Sequence, residues 1–153
     1  MKKEPWTPGN ALLSGLAPDT CERLRDEMTL VDLPVGRILF QPDVPQTHVY
    51  FPRSGVVSLL AVLENGDTGE VAMVGNEGVV GVSLLVEQST TPTRAIVQVA
   101  GEALVMRADQ ASAEFRRGGD FQRAMLRYVH ALITQIAQVS MCTRRVVSCP
   151  SGA

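Results

Sequence analysis

The chain has 153 residues, of which 14 are Lys or Arg, 16 are Asp or Glu and 45% are apolar. This length predicts one domain with a core of its own, because a chain of this size buries roughly 70% of its unfolded surface. The sequence has neither the roughly 18 apolar residues of a membrane helix nor a signal-peptide pattern after Met1, so we expect a cytoplasmic protein. Cys21, Cys142 and Cys149 form no C-x-x-C pair, which predicts reduced thiols and no metal site.

The charge is distributed unevenly along the chain. Residues 1–102 carry 7 Lys and Arg against 13 Asp and Glu, a net charge of −6, whereas residues 103–153 carry 7 against 3, a net charge of +4. A basic helical segment is typical either of nucleic-acid contact or of a solvated face. We favour the solvated face.

The first elements are a short helix and a long series of strands. Pro18 followed by Asp19 and Glu22 has the spacing of a capping box and predicts a helix over 19–28. From Leu30 to Met106, turn residues separate runs of Val, Ile, Leu and Phe, which indicates a sandwich, jelly roll or small barrel. The eight predicted strands are 30–33, 37–40, 48–51, 56–63, 68–74, 79–86, 95–99 and 103–106.

Two details of the strand region can be predicted from local sequence. Asn65-Gly66 between two apolar runs predicts a type I′ hairpin turn, which needs a positive φ at both central residues. The preceding strand, 56–63, is apolar on both faces, which predicts a central position in its sheet.

A long helix is predicted over 121–145, where the sequence has neither Gly nor Pro. One apolar row repeats at four and three residues and is expected to form the seam of a homodimer; it comprises Met125, Val129, Leu132, Ile136 and Val139. A second row, formed by Leu126, Ile133 and Ala137, broadens the apolar stripe, so the helix has one face for its own domain and enough left over for a partner. The alternative is that both rows belong to the core of one domain.

Several segments in a fixed order resemble the sensor half of the Crp/Fnr-type transcription regulators. They are Leu-Pro-Val-Gly-Arg-Ile-Leu-Phe from Leu33, Val-Tyr-Phe-Pro-Arg-Ser-Gly-Val-Val-Ser-Leu from Val49, Asn-Glu-Gly-Val-Val-Gly from Asn76, then Arg94 and the long helix. The resemblance implies the cyclic-nucleotide-binding-like fold, a mostly β roll or jelly roll with flanking helices and a long C-terminal helix. It implies ligand sensing and no enzymatic activity.

The domain boundaries follow from this resemblance. We expect a sensor domain over 1–118, a dimerisation helix over 119–145 and a disordered tail over 146–153, because Pro150 and Gly152 break any period there. Such regulators bind DNA through a helix-turn-helix after the long helix. This chain has too few residues after Arg145 for one, so we expect DNA contact only through a domain that it lacks.

The resemblance also implies a candidate ligand site. Nucleotide-binding members carry a Gly-Glu pair whose carboxylate accepts from the ribose and, about ten residues later, an Arg that pairs with the cyclic phosphate. Gly81 and Arg94 stand at the Gly and Arg positions, but Val82 replaces the Glu. Losing that charged acceptor costs on the order of 1.5–3 kcal/mol. With Ser83, these residues form the candidate site, and we expect cyclic AMP to bind weakly or not at all.

Three alternatives stay open for this site. It binds a different small anionic ligand through Arg94, it binds cyclic AMP after all, or it binds nothing and the chain is an interaction domain. In the last case Arg94 is expected to pair with Glu77 or Glu87. His48 and His130 are too isolated to predict a haem or metal, so no cofactor is expected, and no catalytic arrangement is legible.

Overall fold

The computed structural model describes residues 7–148, and its side chains up to Val139. The helices are α1 (Ala11–Ser14), α2 (Pro18–Arg25), α3 (Ala108–Arg116) and α4 (Asp120–Ser148), together with a 3-10 helix (Val82–Val86). The strands are β1 (Met28–Leu33), β2 (Ile38–Phe40), β3 (His48–Pro52), β4 (Val56–Val62), β5 (Thr68–Val74), β6 (Thr93–Val99) and β7 (Gly101–Arg107). In the described part of the chain, no helix is long and apolar enough to span a membrane.

The strands form two antiparallel sheets. One has the order β1-β7-β3 and the other β2-β6-β4-β5. Consecutive strands β6 and β7 therefore lie in different sheets, and the mostly β roll expected from the sequence is confirmed. β4 pairs with both β5 and β6, which confirms its predicted central position.

The strand predicted over 79–86 is wrong. Only Val80 forms a bridge, with Tyr50 of β3, and the chain then turns into the 3-10 helix. Gly81 has φ +105°, a left-handed conformation that ends strand pairing and that other residues rarely adopt. An apolar run with a glycine inside it therefore forms a bend packed in the core.

The hairpin between β4 and β5 uses a different turn from the one predicted. Gly66 has φ +89°, whereas Asn65 is not among the residues with positive φ. Asn65 Oδ1 instead accepts a hydrogen bond from the backbone N–H of Asp67 at 3.0 Å. This local bond gives Asn65 an alternative to the left-handed conformation that a type I′ turn requires.

The predicted capping box is also wrong, because α2 begins at Pro18 and places Asp19 inside its first turn. A side chain from another element caps this helix. Asp120, the first residue of α4, accepts from the backbone N–H of Ala17 at 2.7 Å and from Thr20 Oγ1 at 2.8 Å. These bonds lower the pKa of Asp120, the first of them most, and they join the two helices.

The last part of the chain forms two helices, of which α4 contains the helix predicted over 121–145. Gly118, with φ +76°, separates α3 from α4. α4 continues to Ser148, three residues beyond the predicted end, so part of the predicted tail is helical, and residues 149–153 lie outside the described residues. Gln135 of α4 accepts from the backbone N–H of Met73 at 2.7 Å, which holds the helix against the edge strand β5.

Candidate functional site

A cavity of about 190 Å³ lies between the second sheet, the start of the 3-10 helix and α4. Most of its lining is apolar, the polar side chains are Gln, Ser and Thr, and no lining residue carries a charge. The lining residues are Phe40, Gln46, Leu59, Val71, Val79, Gly81, Val82, Ser83, Thr91, Thr93, Leu132 and Ile136. Its volume is below the roughly 300–1,000 Å³ of sites for drug-sized ligands, so it suits a smaller molecule.

Three of the four predicted ligand residues lie together at this cavity. Gly81, Val82 and Ser83 line it where the chain enters the 3-10 helix. Gly81 is needed there for close packing as well as for its φ, since a Cβ would lie 3.3 Å from the backbone oxygen of His48. Val82 presents no hydrogen-bond acceptor, as the sequence predicted.

Arg94 does not line the cavity, which corrects its assignment as a ligand residue. Side chains alternate between the two faces of a strand, and in β6 Ala95 and Val97 are buried while Thr93 lines the cavity. Arg94 therefore lies on the opposite face, where its Nε donates to Gln41 Oε1 at 3.2 Å. A difference of one residue in register is enough to move the guanidinium out of the site.

The expected pairing of Arg94 with Glu77 or Glu87 is wrong as well. Glu87 forms an ion pair with Arg116 of α3. Glu77 accepts a hydrogen bond from the backbone N–H of Gly75 at 3.2 Å, in the turn that follows β5. Neither carboxylate therefore neutralises the guanidinium of Arg94.

The two apolar rows of α4 differ in burial, and the row predicted as the dimer seam is the more buried one. Met125 of the predicted seam has no exposed surface and Leu132 has only 7%, so both belong to the protomer's core. Leu126 and Ile133 of the second row are 52% and 60% exposed. The core row also borders the site, because Leu132 and Ile136 line the cavity.

The side chain of Tyr128 fixes α4 against the turn that precedes the cavity. It is buried, and a Cβ on Gly78 would lie within 2.6 Å of its ring, so only glycine fits there. Burial, reinforced by the charge of Glu77, raises the pKa of Tyr128. The tyrosine stays neutral and packs between α4 and the turn at Gly78.

Three polar lining residues were absent from the site predicted from the sequence: Gln46, Thr91 and Thr93. Thr93 follows from strand alternation once Ala95 and Val97 are taken as the inward positions. Gln46 lies in the loop between β2 and β3, which has no periodicity to indicate where a side chain points. Its burial is visible only in the fold.

The family model of the cyclic nucleotide-binding domain matches residues 30–117. The chain therefore belongs to the cyclic nucleotide-binding domain family. No curated protein sequence matches the chain.

Solved structures share the fold at low sequence identity. A CooA variant from Carboxydothermus hydrogenoformans is 12% identical over 99% of this chain and 100% of its own, with a TM-score of 0.71. The Thermus thermophilus catabolite activator protein is 19% identical over 91% of this chain and 63% of its own, with a TM-score of 0.64. The N-terminal domain of a Streptomyces coelicolor transcriptional regulator is 21% identical over 85% of this chain and 90% of its own, with a TM-score of 0.61.

Proposed function

We propose that the chain is the sensor and dimerisation module of a cytoplasmic Crp/Fnr-like transcription regulator, with a small ligand other than a cyclic nucleotide as its signal. The observation that carries the proposal is that α4 lines the cavity and also exposes an apolar row on an adjacent face. A ligand against Leu132 and Ile136 contacts the same helix that would pair with a second copy.

The lining supports a ligand without a phosphate. A cyclic phosphate needs a guanidinium or a comparable set of hydrogen-bond donors. The strand that carries Arg94 presents Thr93 to the cavity instead, and a threonine hydroxyl carries no positive charge. A buried charge without a partner is strongly unfavourable. An uncharged ligand therefore fits the cavity better than the anionic one considered from the sequence.

The exposed row of α4 supports dimerisation. Leu126 and Ile133 lie one heptad apart and Ala137 follows four residues later, the spacing of a two-stranded seam. The large apolar members of this row face away from the core and are more than half exposed. Pairing with a second copy would bury them.

Sedimentation equilibrium tests the pairing. Wild type is expected to be a dimer and Ile133→Glu a folded monomer, because the substitution puts two carboxylates in the seam. Gln138→Glu is the matched control, since it adds the same charge at an exposed position of α4 outside the row. A monomeric wild type, or equal association of both variants, would contradict the proposed seam.

The sensing step has its own test. A ligand that alters the pairing of α4 must bind monomer and dimer with different affinity, and the coupling is reciprocal. The dimer dissociation constant is therefore expected to change when the cavity is filled. A constant that stays the same with a saturating ligand would leave a ligand-free interaction domain as the better hypothesis.

A further inference from the structure

We infer that the ligand of the cavity is a small uncharged molecule with an amide-like group, in which a hydrogen-bond donor lies next to an acceptor. This group binds the side-chain amide of Gln46. This inference rests on the proposed function and specifies its ligand class. The evidence is the state of this one buried side chain, which the sequence did not indicate as functional.

Gln46 is only 7% exposed, and its two amide atoms lack partners. Within residues 7–148, no protein group forms a hydrogen bond with its Oε1 or Nε2. Buried polar atoms are almost always hydrogen-bonded, because an unpaired one has lost its hydrogen bonds to water and gained none from the protein. A buried primary amide with both ends free is therefore an exception that calls for a partner.

The fold pairs a buried amide fully where its role is structural. Asn10 is likewise buried, and its Nδ2 donates to the backbone oxygens of Pro52 and Gly78 at 2.9 and 2.8 Å. Its Oδ1 accepts from the backbone N–H of Leu12 at 3.0 Å. The free amide of Gln46 therefore differs from its structural counterpart in the same domain.

The backbone holds Gln46 at the cavity. Its own N–H donates to the oxygen of Ser89 at 2.7 Å, and the oxygen of the next residue, Thr47, accepts from Ala108 at 2.9 Å. The Gln46 Oε1 lies 3.5 Å from the place that a Cβ on Gly81 would occupy, which sets the amide against the bend that lines the cavity.

Among the polar lining residues, Gln46 presents an amide whose donor and acceptor are both unpaired. The hydroxyls of Thr91 and Thr93 form a hydrogen bond with each other at 2.8 Å. The rest of the wall consists of Ser83, which adds a single hydroxyl, and of glycine and apolar side chains that include Val82 and Leu132. A ligand that donates to Oε1 and accepts from Nε2 would satisfy both free atoms in one contact, which neither a carboxylate nor a hydrocarbon can do.

The volume sets the size of the ligand. A cavity of about 150 Å³ holds one benzene ring, so the 190 Å³ here has room for a single ring with a carboxamide or a lactam. Benzamide, benzoate and toluene form a matched probe set. They share the ring and differ in presenting a donor with an acceptor, acceptors with a charge, or no polar group.

The experiment is an NMR titration of the full chain with each probe. Benzamide is expected to bind more tightly than benzoate, and Gln46→Met to weaken benzamide about tenfold or more, the loss of two hydrogen bonds. Toluene affinity should not fall in that variant. Gln46→Leu serves as a second apolar variant, and Gln138→Met, at an exposed glutamine of α4, is the control that should leave benzamide unaffected.

Two further variants locate the contact, since Gln46 also borders an outer hollow with Ser112 of α3. Val82→Phe fills the inner cavity and should abolish benzamide binding, whereas Ser112→Ala should not change it. The inference is overturned if benzamide does not bind, if benzoate binds better, or if the Gln46 variants bind benzamide as wild type does.

Failure of the inference and failure of the proposed function give different results. If benzamide binds through Gln46 but leaves the dimer dissociation constant unchanged, the ligand class stands and the sensing function fails. If toluene changes that constant and benzamide gains nothing from Gln46, the sensing function stands and the ligand class is wrong.

Discussion

Replacing Gln46 by Met is expected to stabilise the ligand-free protein, although the position is buried. Methionine keeps an unbranched side chain of the same length and removes both unpaired polar atoms. Since each buried unsatisfied group costs about 1–3 kcal/mol, the free energy of unfolding should rise by about 1–3 kcal/mol. For a domain of this size, each kcal/mol raises the melting temperature by about 2–4 °C.

Urea and thermal unfolding at equal protein concentration measure this effect. Gln138→Met is the control, because it changes an exposed glutamine and should alter stability by less than about 0.5 kcal/mol. A loss of stability in Gln46→Met would mean that the amide is already satisfied in the free protein. That result would remove the basis for assigning it to a ligand.

Three further predictions test the surroundings of the site. Asp120→Asn should lower the free energy of unfolding by about 0.5–2 kcal/mol, as loss of a helix cap does. Because folding lowers the pKa of Asp120, its contribution to stability is present above the unfolded pKa of about 4 and is lost as pH falls through the folded value. An equal difference in unfolding energy at pH 7 and pH 2 would refute this. Gly78→Ala should lower the melting temperature, because the new Cβ clashes with the ring of Tyr128. Adding Tyr128→Phe should not restore the melting temperature, since the ring itself makes the clash, and full restoration would contradict this geometry. Leu132→Ala should cost about 2–5 kcal/mol in chemical unfolding without changing dimer affinity measured by sedimentation, and weaker association with unchanged stability would restore Leu132 to the seam.

The sequence predicted the features that depend on pattern over many residues. Strand alternation and turn residues indicated a β roll, and the central position of β4 followed from a strand that is apolar on both faces. The helix beginning near Phe121 followed from its uninterrupted apolar period. The family resemblance supplied the order of these elements.

The features that were missed depend on single residues or on contacts between distant segments. Arg94 is one residue out of register with the cavity, and a motif position does not fix which face of a strand it occupies. The apolar rows of α4 are similar in hydrophobicity, so the sequence alone could not show which one the roll would cover. The cap of α2 comes from Asp120, about one hundred residues away, beyond the reach of local patterns.

The most direct test of the central claim is a map of backbone amide shifts on the full chain, recorded with benzamide and with cyclic AMP. We predict that benzamide changes the amide shifts of Gln46, of Gly81–Ser83 and of α4 residues near Leu132, and that cyclic AMP changes none. Shifts with cyclic AMP centred on those same residues, or benzamide shifts confined to the face of Arg94, would contradict it.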